Sequence, residues 1–372
     1  MTTLVATKKV DVDTHFFPRI DLKNFKDLLP RGYVGEAMDM YLKDTERATD
    51  GERIRAIAKG RPAPDASAPD PHRDPEERLR FLPSTGFDAQ VLLPDRIFGN
   101  LYGSSPTGGD LAKPIRVALC KLFDDESAKA QKAHPMNFIG IITVPWDDID
   151  ETVAEVKRGA KLGLKAVLIP ANWVGKNLDT IELYPFWEVV NELKLPLLVH
   201  HIPQGCVGRT TVDHQPLYHM IGMERMRRLH IGTYLGFGLE YTLAVAALTL
   251  GGVMDEFPNL KFAFFEAGAS WLPYARLGCE RSSFIEPQCS RNTTPPSELI
   301  RTRMLTAIEP VEHMEALVTT LGNEMFFFGT DFPHPEYLAY ENTAASVTDR
   351  QGLNSQDKAL ILGGNIGRML GM

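Results

Sequence analysis

The feature that most constrains this chain is a set of short, almost wholly apolar runs that stop at residues able to do chemistry. Leu197-Leu-Val ends at His200, Lys261 to Phe265 ends at Glu266, and Phe326 to Gly329 ends two residues before Asp331. Each run has strand length and is followed by a turn and an amphipathic stretch, the alternation of a parallel sheet with crossover helices. Strands are predicted at Val10–Asp13, Ala89–Leu93, Phe138–Val144, Ala166–Ile169, Leu197–His200, Lys261–Phe265 and Phe326–Gly329, with an eighth near Leu229–Thr233. Eight parallel strands alternating with helices predict an α/β fold, a (β/α)8 TIM barrel.

Between the strands, Asp148–Leu162 reads as a helix, with apolar or small residues at Ile149, Val153, Val156 and Ala160 and acids in its first turn. Tyr241–Val253 is so nearly all apolar that it must be buried against neighbours or another subunit. Around residues 30–74 the rhythm breaks. The run Arg61-Pro-Ala-Pro-Asp-Ala-Ser-Ala-Pro-Asp-Pro suits neither helix nor strand, so a loop insertion after the first strand is expected, either capping the site or decorating it.

All 372 residues are read as one barrel domain, a length such barrels reach when their loops carry insertions. A net charge of −8 and no Lys/Arg run argue against nucleic acid as a partner. Membrane association is not expected either, since no stretch approaches ~20 uninterrupted apolar residues. The chain opens without an export signal, and Cys120, Cys206, Cys279 and Cys289 are widely spaced, so reduced thiols and a cytoplasmic location are expected. Expected partners are a small-molecule substrate and further copies of the chain, as dimer or tetramer, with a hetero-oligomer as the alternative.

Four constellations carry chemistry. In Asp11-Val-Asp13-Thr-His15, strand alternation turns Asp13 and His15 to one face, where both could hold one ion; taken alone, such a triplet is more often a turn than a ligand pair. His200 and His201 end a strand and point to opposite faces, so His200 is chosen as ligand and His201 either supports the ligands from behind or contacts substrate. Asp331 follows a very apolar strand, where a lone carboxylate costs several kcal/mol and a cation offsets that cost. Its competing reading is a helix cap. Glu266, between a strand and a glycine turn, is either catalytic or an acid placed at a helix start.

In order along the chain, these pieces resemble the amidohydrolase-related family that includes aminocarboxymuconate semialdehyde decarboxylase and the resorcylate and salicylate decarboxylases. The resemblance rests on Asp13-Thr-His15, Pro75-Glu-Glu-Arg-Leu, Gly86-Phe-Asp-Ala-Gln-Val-Leu-Leu-Pro94, Val144-Pro-Trp-Asp and Gly163-Leu-Lys-Ala-Val. It continues through Leu195-Pro-Leu-Leu-Val-His200, Phe257-Pro-Asn-Leu-Lys-Phe, Gly329-Thr-Asp331-Phe-Pro-His334 and Ile361-Leu-Gly-Gly-Asn365.

The resemblance implies one divalent ion on Asp13, His15, His200 and Asp331, zinc first, with manganese or iron as alternatives. Many relatives carry His-x-His where this chain has Asp13-x-His15, and a catalytic His where it has Glu266. Lys165 precedes its strand, the wrong end of the barrel for the lysine that bridges two ions in binuclear members. Asp331, Glu266 and His334 are the catalytic candidates, and His201, Trp173, Trp271 and Phe332 the substrate contacts. Arg19, Arg96 and Arg209 are candidate carboxylate clamps. Hydrolysis of an amide, ester or lactone is ranked slightly ahead of nonoxidative decarboxylation. A two-metal oxygenase, with Glu266, Asp13 and His201 completing a second site, and a noncatalytic partner subunit are the remaining alternatives.

Overall fold

A computed structural model describes residues 8–19, 21–39, 70–95, 112–173, 176–200, 233–334 and 342–372. Its strand segments all pair in parallel. β1 (Val10–Asp11) and β2 (His15–Phe16) are two arms of one broken strand, laid along β3 (Ala89–Pro94) in the registers Val10↔Ala89 and His15↔Leu93. From β3 the sheet runs to β4 (Phe138–Gly140), and the bridge Ile142↔Val167 carries it to β5 (Val167–Ile169). It continues through β6 (Leu197–Val199), β7 (Phe262–Phe264), β8 (Met304–Ala307) and β9 (Phe326–Phe327). The bridge Thr14↔Phe332, with His15 N donating to Phe332 O at 2.6 Å, returns β9 to the first strand. Counting β1 and β2 as one, eight strands close the barrel.

Seven strands lie where the sequence predicts them. The eighth does not: Met304–Ala307 fills the place between β7 and β9. The run proposed at Leu229–Thr233 falls largely outside the described residues, and its last residue begins the helix Thr233–Leu250. β8 escapes the pattern because the helix Pro296–Arg303 runs into it directly, with no turn residue between them.

Burial explains the strand composition. Phe326, Phe327 and Phe328 are all fully buried, and removing each such side chain from water is worth about 1.5–3 kcal/mol. Phe265 points inward, its ring 5.5 Å from Phe327 and 5.9 Å from His200, whereas Phe262 and Phe264 meet Trp187 and Tyr241 on the helix side. Asp148 caps the helix Ile149–Leu162 through Glu151 N, and Gly163 ends it at φ 84°, so its predicted start and stop hold.

Much of the insertion, residues 40–69, lies outside the described residues. At its near edge Arg31–Tyr33 form a 3-10 turn, and at its far edge Asp74 caps the helix Pro75–Thr85. No described helix is long and apolar enough to cross a membrane.

Candidate metal centre

Beneath the barrel rim a buried network fixes the strands that carry the site. The fully buried Arg78 guanidinium donates to Gln90 Oε1 at 2.9 Å and to His15 O at 2.7 Å. Gln90 donates onward to Asp11, whose carboxylate accepts from Thr330 N at 2.9 Å and Thr330 Oγ1 at 2.7 Å. One side-chain chain therefore ties β2, β3, β1 and the residue before Asp331. Burial, above all, lifts the Asp11 carboxyl to about 7. Gly329 allows the closest approach, since a Cβ there would lie 2.5 Å from Asp13 Cβ.

Above this floor the ligand candidates gather in two groups joined at His15, Asp13–His15–His200 and His15–Asp331–His334, although 318 positions separate Asp13 from Asp331. His15 Nε2 lies 3.0 Å from Asp331 Oδ1 and 3.8 Å from Asp13 Oδ1, and His200 Nε2 lies 3.8 Å from the same Asp13 oxygen. Ligands about 2.0–2.2 Å from a tetrahedral ion stand roughly 3.5 Å apart, so this spacing suits a single cation. Asp13 Oδ1, His200 Nε2 and Asp331 Oδ2 are buried and accept or donate no hydrogen bond. Unmet buried donor atoms are costly in a protein, and a cation among Asp13, His15 and His200, whose ligand atoms lie within 4.8 Å of one another, would satisfy those of the first and the last. The donor set, two carboxylates and two imidazoles, fits zinc, manganese or iron.

The electrostatics agree. Burial, then the Asp331 charge, raises the Asp13 carboxyl to about 8, while burial lowers His200 to about 4 and leaves a neutral imidazole able to ligate. Burial would also raise Asp331, but hydrogen bonds from His15 and His334 outweigh it and hold the carboxyl well below the usual range.

His334, Asp331 and Glu266 are all brought to this rim. A turn closed by His334 N and Asp331 O folds the imidazole back, so that its Nδ1 sits 2.8 Å from Asp331 Oδ1. Burial opposes its protonation, yet the bond and charge of Asp331 lift it to about 10. Glu266 Oε2 lies 2.9 Å from His200 Nε2 without hydrogen-bond alignment. Asp331 and Glu266 both hold positive φ, 55° and 56°, a conformation that costs non-glycine residues about 1 kcal/mol and concentrates at functional sites.

The proposed substrate contacts fare less well. Trp271 is packed into the outer wall, 5.5 Å from Phe264 and 5.6 Å from Tyr241, with its Nε1 on Gly268 O, so it is not a rim aromatic. Phe332 is buried against Phe81 at 4.9 Å and under Arg78, which makes it a packing residue. Trp173 is partly buried, with Nε1 on Trp146 O and Lys176 over its ring. His201, Arg96, Arg209 and Cys206 lie outside the described residues, and Arg19 is exposed.

Asp95 and His72 were missed. Asp95 lies 2.9 Å from His72 and 4.0 Å from His334, and its pKa is held low because the His72 contact outweighs burial. Asp95 ends the apolar strand β3 just as Asp331 follows β9, so the same signal was present there; His72, inside the insertion, carried none.

The amidohydrolase family model matches residues 10–372. Over 371 residues the chain is 25% identical to 2-amino-3-carboxymuconate-6-semialdehyde decarboxylase of Dictyostelium discoideum, covering 98% of this chain and 92% of that protein. Among solved structures it resembles 5-carboxyvanillate decarboxylase from Sphingomonas paucimobilis, at TM-score 0.68 and 19% identity, covering 98% and 99% of the two chains. It also resembles a Polaromonas sp. JS666 dihydroxybenzoic acid decarboxylase with bound manganese, at TM-score 0.62 and 17% identity, covering 98% and 97%. With a matched span that begins at the first barrel strand and runs through every ligand candidate, the chain belongs to the amidohydrolase family.

Proposed function

We propose that this protein is a metal-dependent nonoxidative decarboxylase of a small aromatic or unsaturated carboxylic acid, using one divalent ion, manganese in preference to zinc. The observation that carries the reading is the cluster of Asp13, His15 and His200, with buried unsatisfied atoms on Asp13 and His200, joined through His15 to a second group of Asp331 and His334. Asp13, His15, His200 and Asp331 would hold the ion. When bound, it would clamp the substrate carboxylate and a neighbouring oxygen and stabilise the charge left as carbon dioxide departs.

The chain's own residues supply the rest. Loss of carbon dioxide leaves an electron pair on carbon, and that carbon needs one proton. His334 holds a proton at Nδ1 against the ionised Asp331 carboxylate, so the pair stores one proton that passes from His334 through Asp331 to carbon and leaves His334 neutral. Glu266 stands beside the same His200 Nε2 and adds a carboxylate at the edge of the site, and Phe265 and Phe327 wall its inner face.

By sequence alone hydrolysis ranks first. The named relatives reverse that order, since all three are decarboxylases and one carries manganese. A homo-oligomer in the cytoplasm completes the reading. Its support is the stripe Leu235, Leu239 and Leu243, 66%, 48% and 37% exposed at four-residue spacing on the helix Thr233–Leu250.

The test is to incubate manganese-loaded protein without oxygen with dihydroxybenzoate, carboxyvanillate and aminocarboxymuconate semialdehyde. Carbon dioxide release from at least one of them, with one solvent deuteron placed on the product carbon, is expected. Cleavage of ester or lactone probes with no carbon dioxide from any acid would overturn the reading.

A further inference from the structure

Glu266 occupies a strained backbone position at the rim, and something must hold it there. On its strand side Tyr241 donates to Phe265 O at 2.7 Å. On the other side the chain turns through Gly268, at φ 61°, whose carbonyl accepts from Thr306 of β8 at 3.1 Å. The backbone donors of Ala269 and Ser270, which follow the turn, converge on Glu312, in the loop after β8. Its Oε1 accepts from Ala269 N at 2.9 Å, Ser270 N at 2.8 Å and Ser270 Oγ at 2.5 Å. Its Oε2 accepts from Ala269 N at 3.0 Å and from Glu309 N at 2.9 Å. Arg350 fixes the Glu312 backbone in turn, donating to its carbonyl at 3.0 Å.

The fit is tight from both sides. A Cβ on Gly268 would stand 2.8–2.9 Å from the Glu312 carboxylate, so the turn and the carboxylate are shaped to each other. Charge-assisted bonds of this kind are about twice as strong as neutral ones, and several on one group over-determine the turn they close.

We propose that Glu312 is a positioning residue for the metal centre, clamping the Gly268 turn so that the Glu266 carboxylate stays against His200. The inference rests on the proposed metal site but adds to it a residue from a different loop that touches neither the ion nor the substrate. Glutamine at 312 would set an amide N–H₂ against backbone N–H groups, which opens the clamp without changing the volume of the side chain.

The test uses Mn²⁺ alone, titrated into the metal-free protein and followed by electron paramagnetic resonance. Partners of ligating residues tune metal affinity by roughly 10- to 100-fold, so Glu266→Gln is expected to weaken Mn²⁺ binding at least tenfold. Glu312→Gln should weaken it about three- to tenfold, Glu312→Asp should recover part of the loss, and Glu312→Gln should add nothing in the Glu266→Gln background. Gly268→Ala presses on the same contact from the opposite side and should reproduce the effect, which keeps the test open if Glu312→Gln fails to fold. Equal losses from Glu312→Gln in both backgrounds, or no loss in either, would overturn the proposal. A protein that takes up no Mn²⁺ would instead overturn the metal site itself.

Discussion

At the rim Asp13 and Asp331 are each 3% exposed; between the helices flanking β4, Asp124 is 0% and Glu155 3% exposed, so desolvation presses on both pairs alike. They are neutralised differently. Asp124 accepts from Thr143 N and Oγ1, both at 2.8 Å, while Glu155 takes a forked Arg158 at 2.9 Å. Burial, then the charge of Glu155, pushes the Asp124 carboxyl well above its usual range, so that pair keeps a proton. At the rim the neighbours are imidazoles, one of them held neutral, and three donor atoms face inward unmet. A buried, unmet carboxylate oxygen does not by itself mark a metal site, since Asp124 Oδ2 is unmet too; the proposed centre adds imidazoles beside such oxygens.

Substitution should separate the two regions sharply. Asp331→Asn is expected to lower the decarboxylation rate roughly 10³-fold by removing both a ligand and the proton path, whereas Asp124→Asn should leave manganese content unchanged. Steady-state kinetics beside elemental analysis reads both outcomes. Equal losses from the two variants would erase the distinction.

A smaller effect follows from the close approach at the rim. Gly329→Ala drives a methyl group into Asp13 and should cost about 1–3 kcal/mol in thermal unfolding while weakening metal retention. An unchanged melt with full retention would show that the strands part easily there.

The outer pair predicts a pH dependence. Between the unfolded value near 4 and its raised native value, Asp124 is protonated in the folded chain and ionised in the unfolded one. The folded state then binds more protons, so stability falls as pH rises, by at most about 1.4 kcal/mol per unit. Denaturant titrations from pH 4 upward should show Asp124→Asn lacking this slope, and parallel curves for the two proteins would count against it. Smallest of all, Leu239→Lys should shift the oligomer toward monomer on light scattering, with stability changed by less than about 0.5 kcal/mol.

Legibility in the sequence tracked how locally each feature is encoded. Apolar runs ending at His200, Glu266 and Asp331 announced strands and site together, because a buried strand needs apolar residues and the rim needs polar ones. β8 was lost because Met304-Leu-Thr-Ala is short and joins a helix without a turn residue. Trp271 looked like a rim aromatic by position, but the αL residues Glu266 and Gly268 turn the chain so that its ring packs outside. Glu312 and His72 were unreadable, since the turn that Glu312 clamps lies 42 or 43 residues away and the partner of His72 lies 23 away, and no pattern within either segment points to them.

On the proposed reading Asp13, His15, His200 and Asp331 share one cation. Crystals grown with Mn²⁺ and measured at the manganese absorption edge test it directly. One anomalous peak per chain is predicted, about 2.0–2.3 Å from a donor atom of each of the four residues and absent from His200→Ala crystals. No peak at the rim, or one that stays fully occupied after His200 is removed, would contradict it.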